Sequence, residues 1–348
     1  MQGTHAAVFR QIQQWLQKRA DVWLCTVIRT YGSAPRPIGS LMAFSAGHGV
    51  IGSVSGGCIE EALFNDLANG ALLKRTQRSN GPWRIRYGQN QEEQQRFSLP
   101  CGGQLHLLLE HIEPGQEAEN HFATLTASLQ QRLPLTRCVN LTDGQFSLNR
   151  GNTVDDRGGV RFNDQTFLHT LTAGDQLLLV GLGEVSRYVA QFASAVDFAV
   201  TLCDMREDFI QLYPVSDLPV IHALPDRLIA ERFHDSHTAI MTLSHDPRLD
   251  DLALMEALQT QAFFIGAMGS EHTSAARRKR LASVGISAGQ LQRLHAPIGI
   301  PIASKTPPEI ALSAVTQLTG IRNRLRRSEF SGRLAGGYDD VCQAEAIR

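Results

Sequence analysis

Lysine is scarce in this 348-residue chain. Of its 33 Lys and Arg residues only Lys18, Lys74, Lys279 and Lys305 are lysines, and 29 are arginines. Arg holds phosphate and carboxylate through a planar, two-pronged donor set, so the bias suits a phosphorylated ligand; skewed codon usage produces the same excess. A surplus of charge is also missing. The 33 cations face 34 Asp and Glu, a formal net charge of −1. That balance excludes a protein that grips nucleic acid or anionic membrane over its whole surface. No apolar run reaches the roughly 18 residues that a membrane-spanning helix needs. Residues 1–20 lack a basic stretch followed by an apolar one, so no secretory signal is expected. The six cysteines form no Cys-x-x-Cys pair, which argues against a zinc ribbon or a disulfide scaffold. A cytoplasmic protein with free thiols is the expectation. Internal repeats and low-complexity tracts are absent as well.

What remains is ample material for a core. Apolar residues make up 43% of the chain, and its length suits two domains. Val8, Ile12, Trp15 and Leu16 recur at helical spacing, and residues 22–28 read as a buried strand. Residues 41–45 and 50–54 flank a Gly-His-Gly turn and read as a hairpin that runs into a helix from Ile59; residues 104–110 read as a further strand. Residues 142–174 are rich in Asp, Asn, Gly and Thr, with short strand pairs expected at 145–148 and 160–163, and read as the end of the first domain plus a linker. From Asp175 onward strands and helices alternate, with strands expected at 176–180, 199–203, 238–243 and 262–265. Alternation of this kind means a mostly parallel sheet with helices on both faces. The expected architecture is therefore an N-terminal α/β domain over 1–140, a linker over 141–174, a Rossmann-like, doubly wound parallel-sheet domain over 175–322 and a tail over 323–348.

The second domain carries the first chemical signal. Its strand runs into Gly181-Leu182-Gly183-Glu184-Val185-Ser186, a G-x-G-x-x-small pattern. Gly181 would allow the tight turn, and Gly183 would let a pyrophosphate approach the backbone at a helix N-terminus, where N–H groups and the dipole favour anions. Ser186 stands where close helix–strand packing calls for a small residue. Asp204 ends the next strand, 21 residues beyond Gly183, where a ribose-binding acid is expected. A glycine turn that merely packs a helix on a strand would look the same. The hydride-transfer pair Tyr-x-x-x-Lys, a P-loop lysine and the zinc-protease pattern His-Glu-x-x-His are all missing. Gly266, Gly269 and Ser270 read as a second strand-to-helix loop with room for ligand contact.

Two cysteines sit beside glycine pairs. Cys58 follows Gly56-Gly57 at the start of a predicted helix, a place that favours thiolate. Cys101 precedes Gly102-Gly103, where small residues would let a ligand reach the backbone. A thiolate can hold a soft metal such as molybdenum or carry sulfur. These two are the candidate catalytic thiols, with Cys101 the candidate metal ligand. Cys25, Cys138 and Cys203 lie in predicted strands and read as small buried apolar residues. Arg36, in the stiff Pro-Arg-Pro loop, is a candidate phosphate contact. Glu60 either orients Cys58 or simply solvates its helix. Arg277, Arg278, Lys279 and Arg280 are consecutive on a helix and read mainly as a solvated face. Thr306-Pro307-Pro308-Glu309 reads as a helix start with a capping box.

Taken in order, the segments GSAPRPIGS (32–40), GSVSGGCIEEA (52–62), LPCGGQ (99–104), LLLVGLGEVSRYVAQFASAVDFAVTLCDMRED (177–208), FFIGAMGSEHTSAARRKRL (263–281) and APIGIPIASKTPPEIALSAV (296–315) resemble the XdhC/CoxI family of maturation factors for molybdenum hydroxylases. Cys58 and Cys101 make the chain look more like the CoxI-type branch. Ser186 and Glu184 depart from the family's usual Gly and His. The resemblance implies a chaperone rather than a turnover enzyme. It would bind the molybdenum cofactor, as molybdopterin or its cytosine dinucleotide, with Arg36, Gly56, Gly57, Gly102, Gly103, Gly181, Gly183, Asp204, Gly266, Gly269 and Ser270 as candidate contacts. It would support sulfuration of the cofactor and pass it to an apo molybdenum hydroxylase. The implied partners are that hydroxylase, a cysteine desulfurase and a molybdopterin nucleotidyltransferase, without nucleic acid or membrane. A homodimer is the base-rate expectation. The alternative reading is an NAD(P)-dependent oxidoreductase built on Gly181, Gly183 and Asp204; a protein-interaction scaffold is a third.

Overall fold

The structure is a computed structural model that describes residues 2–31, 36–55, 58–71, 74, 81–88, 104–150, 159–212, 218–244 and 246–332. The chain divides into two units, Met1–Ala173 and Gly174–Gly336.

The first unit is built on an antiparallel sheet in the order β3-β2-β1-β5-β4: β1 (Val22–Tyr31), β2 (Leu41–Ser45), β3 (Gly49–Gly52), β4 (Trp83–Tyr87) and β5 (Gln104–Ile112). Alternate residues of β1 serve opposite faces. Val22 and Leu24 meet Val8, Phe9, Ile12, Trp15 and Leu16 of helix α1 (Gln2–Gln17), together with Phe122 and Leu125 of α3 (Gln116–Gln130). Each of these large side chains stabilises the fold by about 1.5–3 kcal/mol on burial. Trp23, Cys25 and Val27 face the other way, onto Ile59 and Leu63 of α2 (Cys58–Ala68). Apolar cover on both faces explains why residues 22–28 carry no polar alternation.

A second antiparallel sheet completes this unit, in the order β7-β6-β9-β8: β6 (Leu135–Asn140), β7 (Phe146–Asn149), β8 (Gly159–Phe162) and β9 (Thr166–Leu171). The expected linker over 141–174 is corrected here. Three of these strands lie inside it, and their alternate residues Val160, Phe162, Phe167 and Leu171 are packed into the hydrophobic clusters. Asp143 and Asn163 accept the Gln145 and Gln165 amides in the turns between β6 and β7 and between β8 and β9.

The second unit is the expected doubly wound sheet. Six parallel strands lie in the order β12-β11-β10-β13-β14-β15: β10 (Gln176–Val180), β11 (Ala199–Asp204), β12 (Val220–His222), β13 (Thr238–Thr242), β14 (Phe264–Ala267) and β15 (Leu294–His295). Helices α4 (Glu184–Ala195) and α10 (Pro307–Gly332) cover one face through Val189, Ala190, Ala311 and Val315. Helices α6 (Pro225–Arg232), α7 (Pro247–Ala257) and α8 (Glu271–Ser283) cover the other through Ile229, Leu254 and Leu281. Short helices α5 (Glu207–Leu212) and α9 (Ala288–Gln292) lie between. Helix α10 continues past 322, so the tail expected from 323 begins as its last turns. Glu309 accepts the Lys305 and Thr306 amides at 2.9 and 3.0 Å and so closes the expected cap. Strand order reverses between β10 and β13, which places the topological switch point at their carboxyl ends. No helix among the described residues is long and apolar enough to cross a membrane.

Candidate functional site

In the first unit, strand direction gathers the motif segments at one end of the sheet. Thr26 pairs with Leu41, Tyr31 with Gln104, Tyr87 with Leu105 and Met42 with Gly52. The end of β1, the start of β2, the end of β3, the end of β4 and the start of β5 therefore share one edge. The loop through Arg36, the turn that leads to Cys58, and the strand that follows Cys101-Gly102-Gly103 all belong to it. Gly52 makes the turn possible: its φ is +82°, and a Cβ there would lie 2.2 Å from the Leu41 carbonyl oxygen.

Glu60 organises this edge. Its carboxylate is 9% exposed. Oε1 accepts from the Ser53 hydroxyl (2.8 Å), the Val54 amide (3.0 Å) and the Ser55 amide (2.8 Å), while Oε2 accepts from the Ser55 hydroxyl. Burial works to raise its pKa, but the hydrogen bonds from Ser55 and Ser53 win and hold it at about 2. The Ile59 amide donates to the Ser55 hydroxyl oxygen at 3.3 Å, satisfying an N–H of the first turn of α2. Of the two readings of Glu60, solvation of the helix is thus excluded; the residue clamps the turn that enters α2 at Cys58. Arg36 joins the same array, its exposed guanidinium Nε donating to the Ser53 hydroxyl oxygen at 3.4 Å. Gly56, Gly57, Cys101, Gly102 and Gly103 lie outside the described residues, as does the Cys58 side chain. The other thiols behave as expected from the strands: Cys25, Cys138 and Cys203 are buried. Burial pushes Cys203 up to about 11 and Cys25 further still, so neither is a thiolate at neutral pH.

Beneath the sheet a charged cluster ties three elements together. Arg137 of β6 makes two parallel hydrogen bonds to Glu110 of β5 (2.9 and 2.7 Å) and donates from Nε to His121 Nε2 of α3 (2.9 Å). All three side chains are buried.

In the second unit the glycine loop stands at the switch point. Gly181 has φ +97°, and a Cβ there would lie 2.6 Å from the Ser244 backbone nitrogen, so the β10 loop and the segment after β13 touch without room for a side chain. Gly183 differs. Its backbone is extended, and a Cβ would meet nothing within 4 Å, which leaves the start of α4 open to an approaching group. The departure at Ser186 has a local role: its hydroxyl oxygen accepts the Gly183 amide (2.8 Å) and its proton goes to the Gly183 carbonyl (2.9 Å).

Asp204 ends β11 as expected, yet its carboxylate is already engaged. Oδ2 accepts from the Leu182 amide (2.7 Å) and Arg206 Nη2 (2.6 Å), and Oδ1 from Arg206 N and Nε (2.9 Å each). These bonds outweigh burial and lower its pKa. Asp204 thus braces the glycine loop from below, at 1% exposure. Gly266 is corrected: it lies inside β14, not in a loop, and its missing Cβ makes space for Ile298, whose Cδ1 would be 2.5 Å away. Gly269 precedes α8, and Ser270 caps it by accepting the Thr273 amide at 3.2 Å. The reading of 277–280 as a solvated face holds for Lys279 and Arg280, which are exposed, and is corrected for Arg277 and Arg278. Arg277 is buried against Asp250 (2.9 Å), Arg278 donates to the Leu291 and Leu294 carbonyls, and Arg280 pairs with Asp251 (2.6 Å). Asp250 in turn accepts the Ser244 hydroxyl at 2.7 Å, which braces the loop facing Gly181. Sequence reasoning missed Ser244, Asp250 and Arg206. The acid pair after a capped Pro247 and the Arg two positions past Asp204 were the available signals. Among the described residues no group of three or more His, Cys, Asp or Glu is placed to hold a metal ion.

Comparison with known proteins agrees with this division. Residues 15–88 match the profile of the XdhC and CoxI family, and residues 177–318 that of the XdhC Rossmann domain. A Bacillus subtilis (strain 168) protein named as a probable xanthine dehydrogenase subunit is 25% identical over 333 residues, which cover 89% of this chain and 96% of that protein. The Escherichia coli (strain K12) molybdenum cofactor insertion chaperone PaoD is 26% identical over 319 residues, which cover 91% of this chain and 89% of the chaperone. A crystal structure described as a xanthine dehydrogenase from Bacillus halodurans shares the fold, with a TM-score of 0.67 at 20% identity over 91% of this chain and 96% of that one.

Proposed function

The chain belongs to the XdhC and CoxI family, and from that premise we propose that it is a maturation chaperone for a molybdenum hydroxylase of the xanthine oxidase family. It binds the molybdenum cofactor as cargo, in its molybdopterin or cytosine dinucleotide form, shields it, supports its sulfuration and inserts it into the apo-enzyme. The observation that carries this reading is the shared sheet edge, where the clamp of Glu60 on Ser53–Ser55, the guanidinium of Arg36 and the strand beyond Cys101-Gly102-Gly103 converge. The likeness along 91% of the chain to an insertion chaperone supports it.

The chain's own residues suit an anionic, phosphorylated cargo. Arg36 offers an exposed fork of donors to phosphate. Glu60 holds the turn in place so that the Cys58 backbone starts α2 in one conformation. Cys58 and Cys101 are the thiols proposed to engage the molybdenum centre and the incoming sulfur, with Cys101 as the metal ligand. In the second unit, the open approach over Gly183 suits a phosphate of a dinucleotide tail. Asp204 would receive a ribose only by giving up bonds to Leu182 and Arg206, so a nicotinamide role for this unit is the weaker reading. The proposed partners are the apo-hydroxylase, a cysteine desulfurase supplying sulfur and the nucleotidyltransferase supplying cargo, with the chaperone itself a cytoplasmic homodimer.

Protein purified from cells with active molybdenum metabolism is expected to carry the cofactor stoichiometrically and to activate an apo-hydroxylase. Cys101→Ala lowers cofactor retention and the yield of sulfurated enzyme. Unchanged transfer by the Cys58→Ala, Cys101→Ala double variant would remove the thiols from the mechanism. Nicotinamide binding with turnover, and no pterin binding, would replace the whole reading by an oxidoreductase.

A further inference from the structure

A row of basic side chains crosses the first sheet on the face opposite α2. Arg29 of β1 pairs with His106 of β5, and His106 pairs with Arg86 of β4. Paired residues on adjacent strands project from the same face, so the three form one row. Arg29 and Arg86 are two strand spacings apart, roughly 10 Å, within the combined reach of two Arg side chains. Tyr31, two residues along β1, joins them: Arg29 Nη1 donates to its hydroxyl oxygen at 3.2 Å, and its ring centre lies 5.5 Å from that of His106. Phe162 at the end of β8 lies against the row, with the Arg29 and Arg84 guanidiniums 5.6 and 5.2 Å from its ring centre.

Among the described residues Arg29 has no ion-pair partner, and Asp164 pairs with Arg84 at 3.6 Å. Arg29, Arg84 and Arg86 are exposed, and Tyr31 is 46% exposed. Burial and the positive charges of Arg86 and Arg29 push His106 below its ordinary value, so it faces solvent as a neutral donor or acceptor. Guanidiniums set around a neutral imidazole and a phenol offer forked and single donors to one tetrahedral anion. The row also lies at the functional edge: Tyr31 directly precedes residue 32 of the GSAPRPIGS segment, and Gln104 directly follows the Cys101-Gly102-Gly103 segment.

We infer that Arg29, Arg86, His106 and Tyr31 form a phosphate-binding site, and that the phosphate it takes is the ester phosphate of the pterin cargo. The identity of the ligand rests on the proposed function; the anion site itself does not. Arg29 and Arg86 clamp the phosphate from two sides, Tyr31 and His106 donate to it from between them, and no bond is made or broken there.

The test uses the full chain and two probes. Inorganic phosphate is titrated by phosphorus NMR, and molybdenum cofactor released from a molybdenum enzyme is titrated by fluorescence. Wild-type protein binds phosphate saturably. The Arg29→Gln, Arg86→Gln double variant weakens both probes about tenfold or more, and Arg10→Gln on α1 weakens neither. The Arg29→Lys, Arg86→Lys variant keeps the charge but loses the forks, and falls between; it serves if the Gln variant does not fold. Phosphate that fails to saturate, or that binds the double variant as well as wild type, overturns the site. Loss of phosphate with unchanged cofactor affinity overturns the assignment to the cargo. If phosphate binding depends on Arg29 and Arg86 while the wild-type chain takes no cofactor, the anion site stands and the proposed function fails.

Discussion

Glu60, in the first turn of α2, accepts both the amide and the hydroxyl of Ser55, five residues before it in the chain. A helix thereby reaches back and fixes the turn from which it starts. Glu60→Gln keeps one carbonyl acceptor but loses the anionic oxygen that serves the Ser55 hydroxyl. The variant is expected to lose about 1–2 kcal/mol at pH 7. The sign with pH follows from its lowered pKa, near 2 against about 4.5 unfolded. The stabilisation is complete above about pH 5 and fades as pH falls toward 2. Urea unfolding at pH 7 and pH 3 should show the gap between wild type and variant narrowing at the lower pH. The variant should also retain less cofactor, because the entry to Cys58 loosens.

Arg137 and Glu110 form a buried pair at 2% and 4% side-chain exposure. Arg137→Met leaves Glu110 uncompensated among apolar neighbours and is expected to destabilise the first unit by about 3–5 kcal/mol. Adding Glu110→Met should recover part of that loss. A double-mutant cycle by denaturant unfolding measures the coupling; a double variant worse than the sum of the singles would contradict a charge-burial origin.

His121 accepts a hydrogen bond from Arg137, so its ring is neutral. Burial and that guanidinium hold its pKa at about 2. The unfolded imidazole titrates near 6.5, so the folded state loses stability as pH falls below that value. Between pH 6.5 and 5 the loss is about 2 kcal/mol. His121→Gln keeps an acceptor for Arg137 and should flatten this part of the stability profile, as followed by thermal melts at pH 7 and 5.

Gly181 and Gly183 are two residues apart and should behave oppositely. Gly181→Ala forces a Cβ against Ser244 at positive φ and is expected to cost about 2–4 kcal/mol. Gly183→Ala meets open space in extended backbone and should leave the melting temperature nearly unchanged. Its effect, if the start of α4 takes a phosphate, appears as weaker cofactor binding alone. Equal melting losses for the two variants would contradict this geometry.

Much of the fold is legible in the residue pattern. The strands at 22–28 and 176–180, the helix from Val8 to Leu16 and the Rossmann loop follow from uninterrupted apolar runs, helical spacing and glycine placement. Strands β12 and β15 escape such reading because three and two residues are too few to show periodicity. Within 141–174 the short strands at 145–148 and 160–163 are legible, but β9 and the joining of all three to β6 in one sheet are not, because that pairing depends on residues far apart in the chain. At the candidate site, residue type pointed to Glu60 and Asp204 but not to what they hold, since both act on backbone amides that no sequence pattern displays.

The sequence by itself determined the two-part organisation, the parallel sheet of the second half and the family, because these rest on local apolar periodicity and ordered motifs. Only the tertiary structure decided the roles. Antiparallel pairing brought Tyr31, Leu41, Gly52, Tyr87 and Gln104 to one edge, and so joined segments as many as 73 residues apart. Burial then settled which charges are internal braces, as with Asp204 and Arg277, and which are left facing solvent, as with Arg29 and Arg36. A side chain's charge is written in the chain; whether it meets a partner or water depends on residues far away along it.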